Sequence, residues 1–239
     1  MTVFFDYQLG KKLNFSYNNN TPYPNIVLDN FINSGTAIKC FHELKNYNNW
    51  YTNEDNDYIK DNQVNKYFTP GYPEDLDDIK ISCPTVYEVL HYFNSDIFLK
   101  FLEDLTGIKN LIADPTFKGG GCHKVCSGGK LSLHVDYNLN EKEHFRVLNL
   151  LLYLNPDWKE EWEGALELWD SKQKKLSQKI FPIFNRVVIF SLSDNSIHGH
   201  PIPLKCPKNI ERYSLALYYF TKTPNQDFYE RRWAEWKHF

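Results

Sequence analysis

The sequence predicts a helical N-terminal layer packed on a C-terminal jelly roll, the two forming one integrated domain. Three observations carry this. Residues 84–105 hold a single apolar stripe at helical spacing. From Gly119 onward, short strand-like runs alternate with Gly, Pro and Asn punctuation, the texture of an all-β sandwich or barrel. The chain of 239 residues is long enough to bury a sizeable core and is of single-domain size.

Taken in order, residues 1–30 read as short strands and turns, with Ile26 to Phe31 a strand running into a helix over 33–45. Residues 46–80 are rich in Asn, Asp and Tyr and carry Pro70, Gly71 and Pro73, which reads as a long loop able to cover a substrate. In the stripe that follows, Val86, Val89, Leu90, Phe93, Ile97, Phe98, Phe101, Leu102 and Leu105 share one face. Asn94-Ser95 divides it into two helices and Gly107 stops the second. Strands are expected over 121–126, 130–137, 145–154, 164–169, 186–192 and 211–221. This sets supporting elements in 1–110 and the β core in 111–239. The aromatic tail Phe228 to Phe239 is expected to pack on the domain or on a twin subunit rather than on nucleobases.

Composition excludes more than it identifies. A net charge of -3 with no basic stripe argues against duplex nucleic acid as the partner. Five cysteines, odd in number and without a C-x-x-C pair, read as reduced thiols. Met1 to Lys12 has no signal-peptide pattern, and the greasiest run, Val147 to Leu154, is strand-sized. The expectation is a cytoplasmic protein away from membranes, monomeric or homodimeric.

The chemistry centres on His134-Val135-Asp136. On a strand, side chains alternate, so His134 and Asp136 share a face opposite Leu133 and Val135. Alone, the pair fits an ordinary His–Asp hydrogen bond as well as a metal site. A third ligand from a distant strand would complete two-His-one-carboxylate ligation, the facial triad that suits non-haem Fe(II). His198 and His200 follow the strand 186–192 and a polar turn. One of them suffices, and His198 is preferred, with His200 on the substrate side. Arg212 opens a strand whose same face carries Ser214, Ala216, Tyr218 and Phe220. A guanidinium there needs a carboxylate, supplied either by a bound acid or by one of the chain's own acids. Asn149 and Tyr153 share a face of the 145–154 strand; they either bond the two ends of a keto acid or are satisfied polar groups of the core. His123, beside Gly119-Gly120-Gly121, and Arg146 are further candidates on the substrate side.

In Leu131 to Asp136, Arg146 to Asn155, Trp158, Gly164 to Trp169, His198-Gly199-His200-Pro201 and Arg212-Tyr213-Ser214, the chain resembles the Fe(II)/2-oxoglutarate-dependent oxygenases, within them the prolyl-4-hydroxylase-like branch. Pro22 to Phe31 resembles that family's opening segment. The resemblance spans about Leu105 to Thr221. It implies a distorted double-stranded β-helix, iron on His134, Asp136 and His198, and Arg212 with Tyr153 anchoring the distal carboxylate of 2-oxoglutarate. It also implies Fe(II), 2-oxoglutarate and O2 as cofactor and cosubstrates, with ascorbate as a reductant, and hydroxylation of a prolyl residue in a protein or peptide. Glu163-Gly164 stands where relatives often have Gly-Gly, and Ala216 where the hypoxia-sensing prolyl hydroxylases carry Thr. Hydroxylation of a small molecule or sugar, and a non-enzymatic jelly-roll binding module, are the alternatives.

Overall fold

The structure, a computed structural model, describes residues 8–72, 74–224 and 231–239. Its elements run α1 (Leu9–Asn18), β1 (Asn25–Leu28), α2 (Ser34–Asn46), β2 (Tyr51–Thr52), β3 (Gln63–Thr69), α3 (Asp75–Ser82), α4 (Pro84–Phe93), α5 (Asp96–Thr106), β4 (Ile112–Ala113) and β5 (Gly121–Val135). They continue with β6 (Phe145–Tyr153), a 3-10 turn (Glu160–Trp162), β7 (Leu166–Asp170), β8 (Lys175–Ile180), β9 (Arg186–Ser191), β10 (Ser196–His200), β11 (Arg212–Thr221) and β12 (Glu235–Trp236).

The helical layer follows local rules. Asn33 caps α2 by accepting from the Thr36 amide. Pro84 sits in the first turn of α4, and the Glu43 carboxylate accepts from the Thr85 and Val86 amides there. Ser95 caps α5 and Gly107, at φ 82°, ends it, as the sequence predicts. Of the predicted stripe, Ile97 alone is exposed. Two expectations are corrected. Residues 9–18 are a helix rather than strands: Leu9, Leu13 and Tyr17 recur every fourth residue and pack on the core. Its Gly10 allows close approach, since a Cβ there would lie 2.7 Å from the Phe101 carbonyl oxygen of α5. The 46–80 segment holds β3 and α3 rather than a bare loop. A bulge at Asn65, φ 47°, breaks the alternation by which β3 is recognised from sequence.

All the strands pair antiparallel, in the order β1-β9-β6-β11-β5-β10-β7-β8. β5 is one ribbon, where the sequence suggested two strands. Its first half pairs with β11 and its second half with β10, while β3 runs along much of its other edge. The bend lies at Gly128, φ 78°, and Gly129, where a Cβ would meet Val125 Cγ1 at 2.5 Å. The sheet thereby curls until its ends meet. Tyr153, Val188 and Phe190 pack directly against Leu166, Leu168 and Ile180. This is an antiparallel, curled double-stranded β-helix.

Alternation then sorts the side chains. Leu148, Leu150 and Leu152 of β6, Val187 and Ile189 of β9, and Leu215 and Leu217 of β11 join Leu90, Phe93, Phe101 and Leu105 of the helices in one core cluster. Each such side chain stabilises the fold by about 1.5–3 kcal/mol. The alternate residues, Asn149, Tyr153, Arg212 and Ser214, turn into the curl. Both faces of the central strands are covered, so they read as near-continuous apolar runs. No described helix is long and apolar enough to cross a membrane.

Candidate metal and anion-binding site

His134 leaves the end of β5 and Asp136 follows immediately after it. His198 lies within β10, directly across the sheet from His134. The sequence reading set it beyond a strand end. Gly199, a poor strand former, hides the strand locally yet allows it: a Cβ there would sit 2.7 Å from the Ser132 carbonyl oxygen. Cross-strand pairing brings the three side chains together. Among the described residues they form a group able to hold a metal ion, with ligand atoms all within 4.8 Å of one another.

The groups around these residues aim them. His134 Nδ1 is 2.9 Å from the Ser132 carbonyl oxygen, and His198 Nδ1 is 2.9 Å from that of Ser196. With Nδ1–H donating to a carbonyl, each ring presents Nε2 as an acceptor, and these lie 3.5 and 3.3 Å from the Asp136 carboxylate. Burial alone would raise the Asp136 carboxyl, but Arg146, then His198, hold it well below the usual range. Burial, then the neighbouring His198, lowers His134 against the pull of Asp136. An anionic carboxylate beside two histidines, one held toward its neutral form, fits a divalent cation of the Fe(II) type.

Arg146 and Asn149 stand behind Asp136. Asn149 donates from Nδ2 to Asp136 Oδ2 at 2.8 Å, and Arg146 Nη2 lies 3.0 Å from the same oxygen. Arg146 also donates to Asn149 Oδ1 at 3.1 and 2.9 Å, and its guanidinium lies 3.3 Å from the Tyr218 ring centre. The sequence offers Arg146 as a substrate-side candidate and leaves Asn149 between the keto-acid end and a satisfied polar position of the core; the register of β6 sets both against the Asp136 carboxylate.

The other end of the cavity is cationic. Arg212 is buried, donates through Nε to the Gly164 carbonyl oxygen at 2.9 Å, and stacks 4.8 Å from the Tyr153 ring centre. Tyr153 pairs in register with Ser214, and its buried hydroxyl has no hydrogen-bond partner. His123 is the other cross-strand neighbour of Ser214. His200 lines the same space with its buried Nδ1 unpartnered. Burial first, then nearby cations (Lys66 at His123, Arg212 at His200), holds both rings well below the ordinary histidine range. The cavity, about 200 Å³, therefore joins a group able to hold a metal ion to a cationic end able to receive an anion.

Sequence reasoning missed Lys66, Gln63 and Trp236, which also line the cavity. Nothing local marks them; β3 and β12 bring them in by pairing with β5. In the tail, Trp236 lies 5.4 Å from His134 and Phe239 stacks on Trp169 at 5.5 Å, so the described part packs on its own domain. The start of the predicted aromatic tail, at Phe228, lies outside the described residues.

Fold and site together define a double-stranded β-helix protein whose cavity sets a two-histidine, one-carboxylate group able to hold a metal ion beside a buried arginine. Residues 120–220 match the family model of the 2OG-Fe(II) oxygenase superfamily, in agreement with the resemblance read from the sequence. No curated protein sequence matches the chain. Among solved structures, it is similar to a prolyl hydroxylase from Trichoplax adhaerens in complex with a hypoxia inducible factor oxygen degradation domain peptide fragment. That likeness has 20% identity, 90% coverage of each chain and a TM-score of 0.58. It is similar to a Pseudomonas putida prolyl-4-hydroxylase at 13% identity, over 92% of this chain and 100% of that one, TM-score 0.56. It is also similar to HygX from Streptomyces hygroscopicus with nickel and 2-oxoglutarate bound, at 12% identity over 88% and 86%, TM-score 0.53. At these identities the likeness is one of fold. The expected cofactors, Fe(II) and 2-oxoglutarate, agree with the matched family and with the His134, Asp136, His198 set.

Proposed function

We propose that this chain is an Fe(II)- and 2-oxoglutarate-dependent dioxygenase that hydroxylates a C–H bond, and that its substrate is a prolyl residue of a protein or peptide. The observation that carries the reading is the convergence of His134, Asp136 and His198 in one cavity with the buried Arg212, which has no carboxylate partner among the described residues. A protein that merely bound a structural metal would need no anion site beside it. The prolyl assignment is supported by the sequence resemblance and by the prolyl hydroxylases among the structures of like fold.

His134, Asp136 and His198 would hold the metal, and the cavity beside them would receive the keto acid and O2. Arg212, with Tyr153 and Ser214, would hold the distal carboxylate, so the keto acid enters in one direction only. Arg146 keeps Asp136 ionised, and with Asn149 it would hold that carboxylate toward the metal. Tyr218, Tyr137 and Trp236 wall the cavity and limit water. The bound iron would supply the activation of O2; overall, substrate, O2 and 2-oxoglutarate give hydroxylated substrate, succinate and CO2. Ascorbate would serve as reductant.

Succinate release is the test, with Fe(II), 2-oxoglutarate and a panel of proline-containing peptides and protein extracts read by mass spectrometry. His134→Ala is the control. Succinate coupled to one added oxygen on a proline is expected. Succinate without a modified proline would move the substrate to a small molecule or sugar, a reading that the modest cavity volume of about 200 Å³ favours. No succinate above the control, with metal bound, would leave a binding module.

A further inference from the structure

Lys66 is a buried ammonium group with no anion within ion-pair distance among the described residues. It lies on β3 opposite Val125 of β5, and Val125 is paired on its other edge with Arg212 of β11. Cross-strand partners point to the same side of a sheet, so Lys66 and Arg212 project from one face, two strand spacings or about 10 Å apart at Cα. Both line the cavity, with Tyr153, Ser214, His123 and His200 between and around them. The acid that acts on Lys66 is Asp136, which already has Arg146 as its partner.

We propose that Lys66 is the second arm of a two-cation clamp which, with Arg212, grips the distal carboxylate of the dicarboxylic cosubstrate and so ties β3 to the core. This rests on the oxygenase reading above. One carboxylate has two oxygens: the guanidinium fork suits one edge and leaves lone pairs for an ammonium group on the other. Two desolvated cations facing each other repel, and an anion between them removes both the repulsion and part of the burial penalty. Burial first, then Arg212, draws the Lys66 ammonium down to about 8, opposed by Asp136, so it is still largely charged at neutral pH when the cavity holds no acid. The groups that face Lys66 are Arg212 on β11, His123 on β5, His200 on β10 and Asp136 after β5. Lys66 is thus a positioning residue that selects a 2-oxo acid with a second carboxylate, and cosubstrate binding stabilises β3 where it already pairs with β5.

The full chain loaded with Mn(II), which supports binding without relying on turnover, is titrated with 2-oxoglutarate and with 2-oxopentanoate, which lacks the distal carboxylate. Lys66→Met is expected to weaken 2-oxoglutarate by about 10- to 100-fold, the loss of a charge-assisted contact. Its affinities for 2-oxopentanoate and Mn(II) should stay within about two-fold, by the same reasoning, because neither meets Lys66. Lys66→Arg should restore most of the affinity. Hydrogen exchange should show 2-oxoglutarate protecting residues 63–69 in the wild type and not in Lys66→Met, and a ligand-free melting temperature no lower than that of the wild type shows that the variant folds. Equal 2-oxoglutarate affinity in wild type and Lys66→Met overturns the clamp and, if turnover alone falls, places Lys66 on the substrate. Equal weakening of both acids also overturns it. A wild type that binds Mn(II) but not 2-oxoglutarate overturns the oxygenase reading, and the clamp with it.

Discussion

Asp136 shows how much of this site lies in residues that never touch a ligand. Its carboxylate is mostly buried, and Arg146, then His198, hold it ionised against that burial, while Arg146 and Asn149 converge on one oxygen and the other faces His134. Removing Asn149 loosens the carboxylate without removing a ligand. Asn149→Ala is therefore expected to weaken Fe(II) or Mn(II) binding by about 10- to 100-fold, the usual effect of losing an orienting partner, with the fold retained. Metal titration with circular dichroism checks it; unchanged affinity would mean Arg146 alone orients Asp136. The His-x-Asp pair was legible because strand alternation acts over two residues. The partners of Asp136 were not, since Arg146 and Asn149 could equally have faced a ligand until β6 was registered against β11 and β9.

Among the elements, the β5–β10 pairing decides whether the metal site exists. His134 and His198 meet only because β10 lies close against β5 at Gly199, where a Cβ would fall 2.7 and 2.9 Å from the Ser132 and Leu131 carbonyl oxygens. These are backbone atoms, so a side chain forces the strands apart rather than rotating away. Gly199→Ala should cost about 1–3 kcal/mol of stability by overpacking. It should also weaken metal binding by more than ten-fold; this arm fails if the variant binds metal as the wild type does. At the same scale, α4 and α5 were legible down to their caps, because Pro84, Ser95 and Gly107 act on their own backbone. Helix α1 and strand β3 were missed. The first is a short helix held by packing on α5, and the second is an irregular strand held by pairing with β5.

For the whole molecule, a core shared between helices and sheet supports a cavity that is itself electrostatically unfavourable in the absence of a ligand. The fall of Lys66 from 10.5 to about 8 corresponds to about 3 kcal/mol of burial and repulsion. Below about pH 8 both folded and unfolded chains hold that proton and the full penalty stands. Between about 8 and 10.5 the unfolded chain binds the proton and the folded chain does not, so this group's contribution to stability rises with pH. Ligand-free Lys66→Met should therefore be more stable than wild type at pH 7, and the difference should close toward pH 10.5. Denaturant unfolding of both proteins across that range checks the sign; a gap that widens with pH would contradict it.

By itself the sequence determined the helical stripe, the change to strands after Gly119, the His-x-Asp pair and the arginine that opens β11. Each of these is written in spacings of two to four residues, where backbone geometry alone places the side chains. Only the tertiary structure set the preferred His198 across from His134, turned Arg146 and Asn149 onto Asp136, and put Lys66 in one cavity with Arg212. Those outcomes depend on strand register between residues up to 146 positions apart, from Lys66 to Arg212. Register is set by bulges, glycine contacts and packing across the curl, which no local pattern encodes.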